Sequence, residues 1–70
     1  MKYLVILEPT DTGYSAYSPD MDGCIAAGAT KSETMELMRE ALVMHVEALL
    51  EDGLPVPQPS SEAELIEVAA

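Results

Sequence analysis

Thr30–Pro55, TKSETMELMREALVMHVEALLEDGLP, carries the start, the buried face and the stop of one long helix. Thr30-Lys31-Ser32-Glu33 matches the capping box, with a hydroxyl at the N-cap and an acid three residues on. Gly53 stands where a helix leaves through positive φ, and Pro55 prevents continuation. The pattern predicts a helix over 31–52. Wound as a helix, Thr34, Met35, Met38, Ala41, Leu42, His45, Val46 and Leu49 share one broad face. Glu36, Glu40, Glu47 and Glu51 fall opposite. Leu37, Met44 and Ala48 extend the apolar arc along one flank, beyond the stripe of about 100° that covering a single sheet requires. Ordinary surface tolerance for a few apolar residues, or a second buried contact with a partner or another copy, accounts for the extra arc.

Upstream, residues 2–8 (KYLVILE) place Tyr3, Val5 and Leu7 on one face and Leu4 and Ile6 on the other. Both faces are apolar, so this strand is expected to be central. PTDTG (9–13) reads as a turn and YSAYS (14–18) as a second strand, giving a hairpin. Pro19 and Gly23 punctuate the loop 19–23, and CIAAGA (24–29) reads as a third, weaker strand. Downstream, LPVPQPS (54–60) is a stiff extended connector, and ELIEV (64–68) reads as a last strand. A helical crossover between strands of one sheet makes them parallel. The expected fold is therefore α+β, in the order β-β-β-α-β. It is a single domain over 1–70, with a four-stranded mixed sheet of order 3-2-1-4 and one helix packed on one face. The other face then needs a cover.

Thirteen acids against three bases (Lys2, Lys31, Arg39) leave a formal charge of −10. Phosphate contacts need Lys and Arg, so direct nucleic-acid binding is not expected. The same field attracts a basic protein and speeds its encounter. A chain of 70 residues buries only roughly 60% of its unfolded surface. Self-association into a dimer or tetramer is expected to supply further burial. The single cysteine excludes an internal disulfide framework and a multi-cysteine zinc site. No segment reads as a signal peptide or reaches bilayer-spanning length, so a cytoplasmic protein without a membrane partner is expected.

Catalytic signals are sparse. Asp20 and Asp22 flank Met21 in the loop, and turn formation accounts for them better than a metal pair, which needs more oxygen ligands. His45 sits on the apolar helix face, with Ala41 and Leu49 as its i−4 and i+4 neighbours, so no acid or nucleophile lies beside it. Cys24 is read as a small hydrophobe, not a nucleophile. Phosphate-cradling glycine loops, HExxH and GxSxG are absent. No catalytic residue, cofactor or metal is assigned. A metal-dependent nuclease built on Glu8, Asp11, Asp20 and Asp22 is the weakest of the readings, because these acids form no evident cluster. What the sequence offers is bindable surface. Segment 24–29 is an outer strand without the Lys, Pro or inward charge that guards an edge, so it can accept a strand from another chain. The candidate partner or oligomer interface comprises Asp20, Asp22, Cys24, Ile25, Ala26, Ala27, Leu37, Met44 and Ala48.

Taken in order, Tyr14-Ser-Ala-Tyr-Ser-Pro19-Asp20-Met-Asp-Gly23-Cys24, then Gly28-Ala-Thr30, Glu33 and Glu40-Ala41 resemble the N-terminal domain of HicB-like antitoxins. Gly53, Pro55 and Pro57 are similar to that family's helix exit, and the likeness spans roughly 2–68. The resemblance implies a partly reduced ribonuclease-H-like fold without nuclease activity. It also implies that the chain binds and covers a small basic HicA-type toxin that cleaves mRNA. Three departures stand out. The family's C-terminal DNA-binding domain has no counterpart before Ala70, so operator binding by this chain is not expected. Thr34 stands where Ala is common, and Ala29 where an acid is common. An orphan oligomeric interaction module of the same fold, with no toxin partner, remains the alternative reading.

Overall fold

A computed structural model describes all 70 residues. Its elements are β1 (Ile6–Thr10), β2 (Gly13–Tyr17), β3 (Ile25–Gly28) and α1 (Lys31–Glu51). The helix falls where the capping chemistry places it. The Thr30 hydroxyl accepts a hydrogen bond from the Glu33 N–H at 3.1 Å. At the other end Gly53 takes φ +68°, its N–H donates to the Leu50 carbonyl, and the Leu54 N–H donates to the Leu49 carbonyl. This pair of bonds is the Schellman arrangement, which satisfies carbonyls that the helix end would otherwise orphan.

The sheet departs from expectation. It has three antiparallel strands in the order β1-β2-β3, not four in the order 3-2-1-4, and contains no parallel pair. The first cause is the hairpin. Pairing begins at Thr10↔Gly13, so the turn is only Asp11–Thr12, and β1 runs through Glu8 and Pro9 to Thr10. The chain before Ile6 extends past Tyr17, where Ser18 and Pro19 have left the sheet, and finds no ladder partner. β1 is thus an outer strand, and an outer position tolerates a proline such as Pro9, which lacks an N–H.

The second cause lies in residues 54–70, which form no strand. Pro55, Pro57 and Pro59 remove alternate N–H donors from the connector, so it cannot complete a ladder. Tyr3 Oη donates to the Pro57 carbonyl, and the backbone N–H groups of Ser60 and Ser61 then donate to Asp20 Oδ2 at 3.0 and 2.9 Å. The connector therefore passes Tyr3, before β1, and is held at the 18–23 loop. Segment 64–68 ends with Leu65, Ile66 and Val68 exposed.

α1 packs on the sheet face formed by Leu7, Ala16 and Ala26, which Tyr3 and Val5 extend upstream of β1. Met38 lies at the centre, fully buried, with Met21, Cys24 and Ala16 around it. Thr34 is also fully buried, and its hydroxyl donates to the Thr30 carbonyl at 2.7 Å, so burial leaves no unmet hydrogen bond. The Ser18 hydroxyl is the exception: it is buried without a partner, which costs about 1–3 kcal/mol.

Candidate interaction surface

Period-two alternation sorts the sheet into a covered and an open face. On the open face Ile6, Tyr17 and Ile25 lie side by side across the strands, through the pairings Ile6↔Tyr17 and Tyr17↔Ile25. Ile25 is 72% exposed and Tyr17 is partly exposed, so this apolar row has no cover within the chain. β3 is an outer strand, and its Ala27 is exposed on the same open face. On the helix, Leu37, Met44 and Ala48 are all exposed, with Met44 at 68%.

The remaining candidates lie elsewhere. Cys24 is buried in the core and Ala26 packs towards the helix, so neither side chain reaches the open face. Burial pushes the Cys24 thiol above its ordinary pKa, which removes the thiolate that a nucleophile needs. Asp22 is exposed in the loop. Asp20 is engaged inside the chain: its carboxylate accepts from the Ser60 and Ser61 backbone N–H groups and from both hydroxyls, at 2.8 Å from Ser61 Oγ and 3.3 Å from Ser60 Oγ. His45 lies beside Asp20, Asp22, Leu49 and Pro55 in a shallow pocket under this loop. No three His, Cys, Asp or Glu side chains converge as a metal site would require.

The Asp20 clamp was not legible in the sequence, because its partners lie 40 and 41 residues away. Hydrogen bonds from the Ser61 backbone, then from the Ser61 hydroxyl and the Ser60 backbone, hold the Asp20 carboxyl below its ordinary pKa. A depressed carboxyl stabilises the fold above the unfolded-state value, and that contribution is lost as pH falls through the folded value. The clamp is therefore expected to be complete at neutral pH and to release only in acid below the ordinary range of an aspartate. The amide resonances of Ser60 and Ser61 report it: they should move together in an acid titration, and Asp20→Ala should abolish the transition and make 54–61 protease-sensitive. Amides that ignore both acid and the substitution would contradict the clamp.

The geometry is that of a small α+β domain with an uncovered sheet face. The chain belongs to the HicB-like antitoxin family of bacterial toxin–antitoxin systems, whose family model matches residues 3–69. A 14.9 kDa protein from the rep-hol intergenic region of Haemophilus phage HP1 is 40% identical over 58 residues, 83% of this chain and 44% of that protein. Antitoxin HicB 2 of Photorhabdus laumondii is 32% identical over 71 residues, all of this chain and 51% of that protein. The chain thus spans about half the length of these curated relatives. Among solved structures, a HicA3 and HicB3 toxin–antitoxin complex matches with a TM-score of 0.73 at 37% identity, covering 86% of this chain and 70% of that one. A crystal structure of antitoxin HicB3 matches with a TM-score of 0.70, also at 37% identity, covering 86% of this chain and 44% of that one. No helix is long and apolar enough to cross a membrane.

Proposed function

We propose that this chain neutralises a small basic HicA-type toxin by protein–protein contact in the cytoplasm, performing no catalysis itself. The observation that carries the reading is the likeness over 86% of the chain to a chain of a HicA3–HicB3 complex. The formal charge of −10 supports it, because an acidic module is complementary to a surface built to attract phosphates. Ile25 and Ala27 on the outer strand β3, with Asp22 beside them in the loop, offer backbone, apolar and acidic contacts to such a partner.

Co-expression tests the reading. With a HicA-type toxin encoded beside this chain, growth arrest should be relieved and the two proteins should co-purify. Their association rate should fall by at least about tenfold between low and high salt, as steering by opposite charges requires. A toxin that neither binds nor is relieved would refute the proposal.

The second reading, an orphan self-associating module, draws on the exposed apolar residues of the open sheet face and the helix flank. A stable homo-oligomer that ignores the toxin would favour it.

A further inference from the structure

A groove of about 750 Å³ lies between the start of the chain and α1. Leu42, Val43 and Val46 give it an apolar lining, and Lys2, Arg39 and Glu47 supply its charges. Two of the protein's three basic residues meet here, on a chain that carries thirteen acids. Arg39 is bridged to Glu36 at 2.7 Å, but both groups are exposed, so this ion pair is weak and exchangeable. Met1 and Tyr3 also border the groove. It therefore lies beside the stretch that precedes β1, which has no strand next to it.

The same chain carries a segment of matching chemistry with nothing to pack on. Beyond the Asp20 clamp, Glu62-Ala-Glu64-Leu65-Ile66-Glu67-Val68 holds three acids and no base. Leu65 is 102% exposed, Ile66 82% and Val68 75%. In an extended conformation Glu64, Ile66 and Val68 share one side, and Leu65 takes the other. One side thus offers an acid and two apolar groups, to match a lining that holds Leu42, Val43 and Val46 with Lys2 and Arg39. The clamp at Ser60 and Ser61 leaves residues 62–70 free, and nine extended residues span about 30 Å.

We propose that residues 62–68 of one copy occupy the Leu42–Val43–Val46 groove of a second copy, with Glu64 beside Arg39 and Lys2, and that the exchange is reciprocal. The proposal rests on the self-association reading and names its contact. A symmetric pair follows, because each copy contributes one segment and one groove.

Sedimentation equilibrium of the full chain tests it. The wild type should be a dimer at micromolar concentration. Ile66→Asp and Val43→Asp should each weaken the dimer by about tenfold to a hundredfold, the loss expected for one buried apolar side chain. Leu50→Asp places the same charge on an exposed helix position outside the groove and should leave the dimer intact. Arg39→Glu and Glu64→Lys should each weaken it, and their combination should restore it. Ile66 is exposed in the isolated chain, so Ile66→Asp keeps the helical circular dichroism of the wild type. A wild type that is monomeric at about 100 μM would overturn the proposal together with the self-association reading. A dimer indifferent to Ile66→Asp and Val43→Asp, or broken by Leu50→Asp instead, would overturn the groove assignment and leave self-association standing.

Discussion

Met38→Ala is expected to unfold most of the protein at room temperature. Met38 is fully buried in the middle of α1 and packs with Ala16, Met21 and Cys24, with Val5, Leu7 and Leu42 around them. Truncating a buried Met to Ala costs about 2–5 kcal/mol, from lost transfer energy plus the cavity left behind. A single core in a chain of this size supplies only about 3–5 kcal/mol in total. The two ranges overlap, so the substitution removes most or all of the stability. The site has little capacity to collapse, because the sheet side is lined by Ala16 and Ala26, which cannot extend into the space. Met38→Leu keeps the volume and should cost less than about 1.5 kcal/mol. Urea titrations followed by circular dichroism separate the cases. A Met38→Ala protein with a wild-type midpoint would mean that the helix does not pack on this face.

The helix was legible because its end signals are local. Thr30 and Glu33 are three residues apart, and Gly53 and Leu54 close on carbonyls three to five residues back. The hairpin was legible as a hairpin but not in register. PTDTG contains good turn residues over five positions, yet the chain uses only Asp11 and Thr12. Turn composition marks the place of a turn without fixing how many residues it takes. That difference moves β1 from Lys2–Glu8 to Ile6–Thr10, and makes it outer where the apolar alternation of 2–8 suggested a central strand.

The last segment shows a different limit. Glu64-Leu-Ile-Glu-Val68 has a strand-like pattern, but pairing is decided by what its neighbours hold. The Asp20 clamp ties Ser60 and Ser61 to a loop 40 residues away, and no local pattern announces that contact. The interaction surface divides along the same line. Strand parity places Ile25 and Ala27 outward and Cys24 and Ala26 inward, and it was available from the sequence. The meeting of Lys2 with Arg39 at one groove was not, because it requires the start of the chain to lie along the helix flank. Thr34, which departs from the family pattern, is explained by packing: its side chain lies under Gly28, where a Cβ would approach Thr34 Oγ1 to 2.8 Å.

Gly13→Ala is expected to be nearly as damaging, because a steric contact adds to the strain of its positive φ of +157°. A Cβ at Gly13 would lie 2.1 Å from the Gly28 carbonyl oxygen and 2.8 Å from Ala29 Cα. Both atoms belong to the backbone, so no side-chain rotation relieves the contact. The β2 and β3 ends must separate near Tyr14↔Gly28, and Ala29 must carry the Thr30 cap with it. Inserting one carbon into a tight site costs about 1–3 kcal/mol and occasionally more; a clash with two backbone atoms belongs at the top of that range. Gly53→Ala is the control. Gly53 also has positive φ, at +68°, but nothing lies within 4 Å of its Cβ direction. Its cost is the left-handed backbone alone, about 1–2 kcal/mol. Equal urea midpoints for the two variants would refute the close approach of β2 and β3.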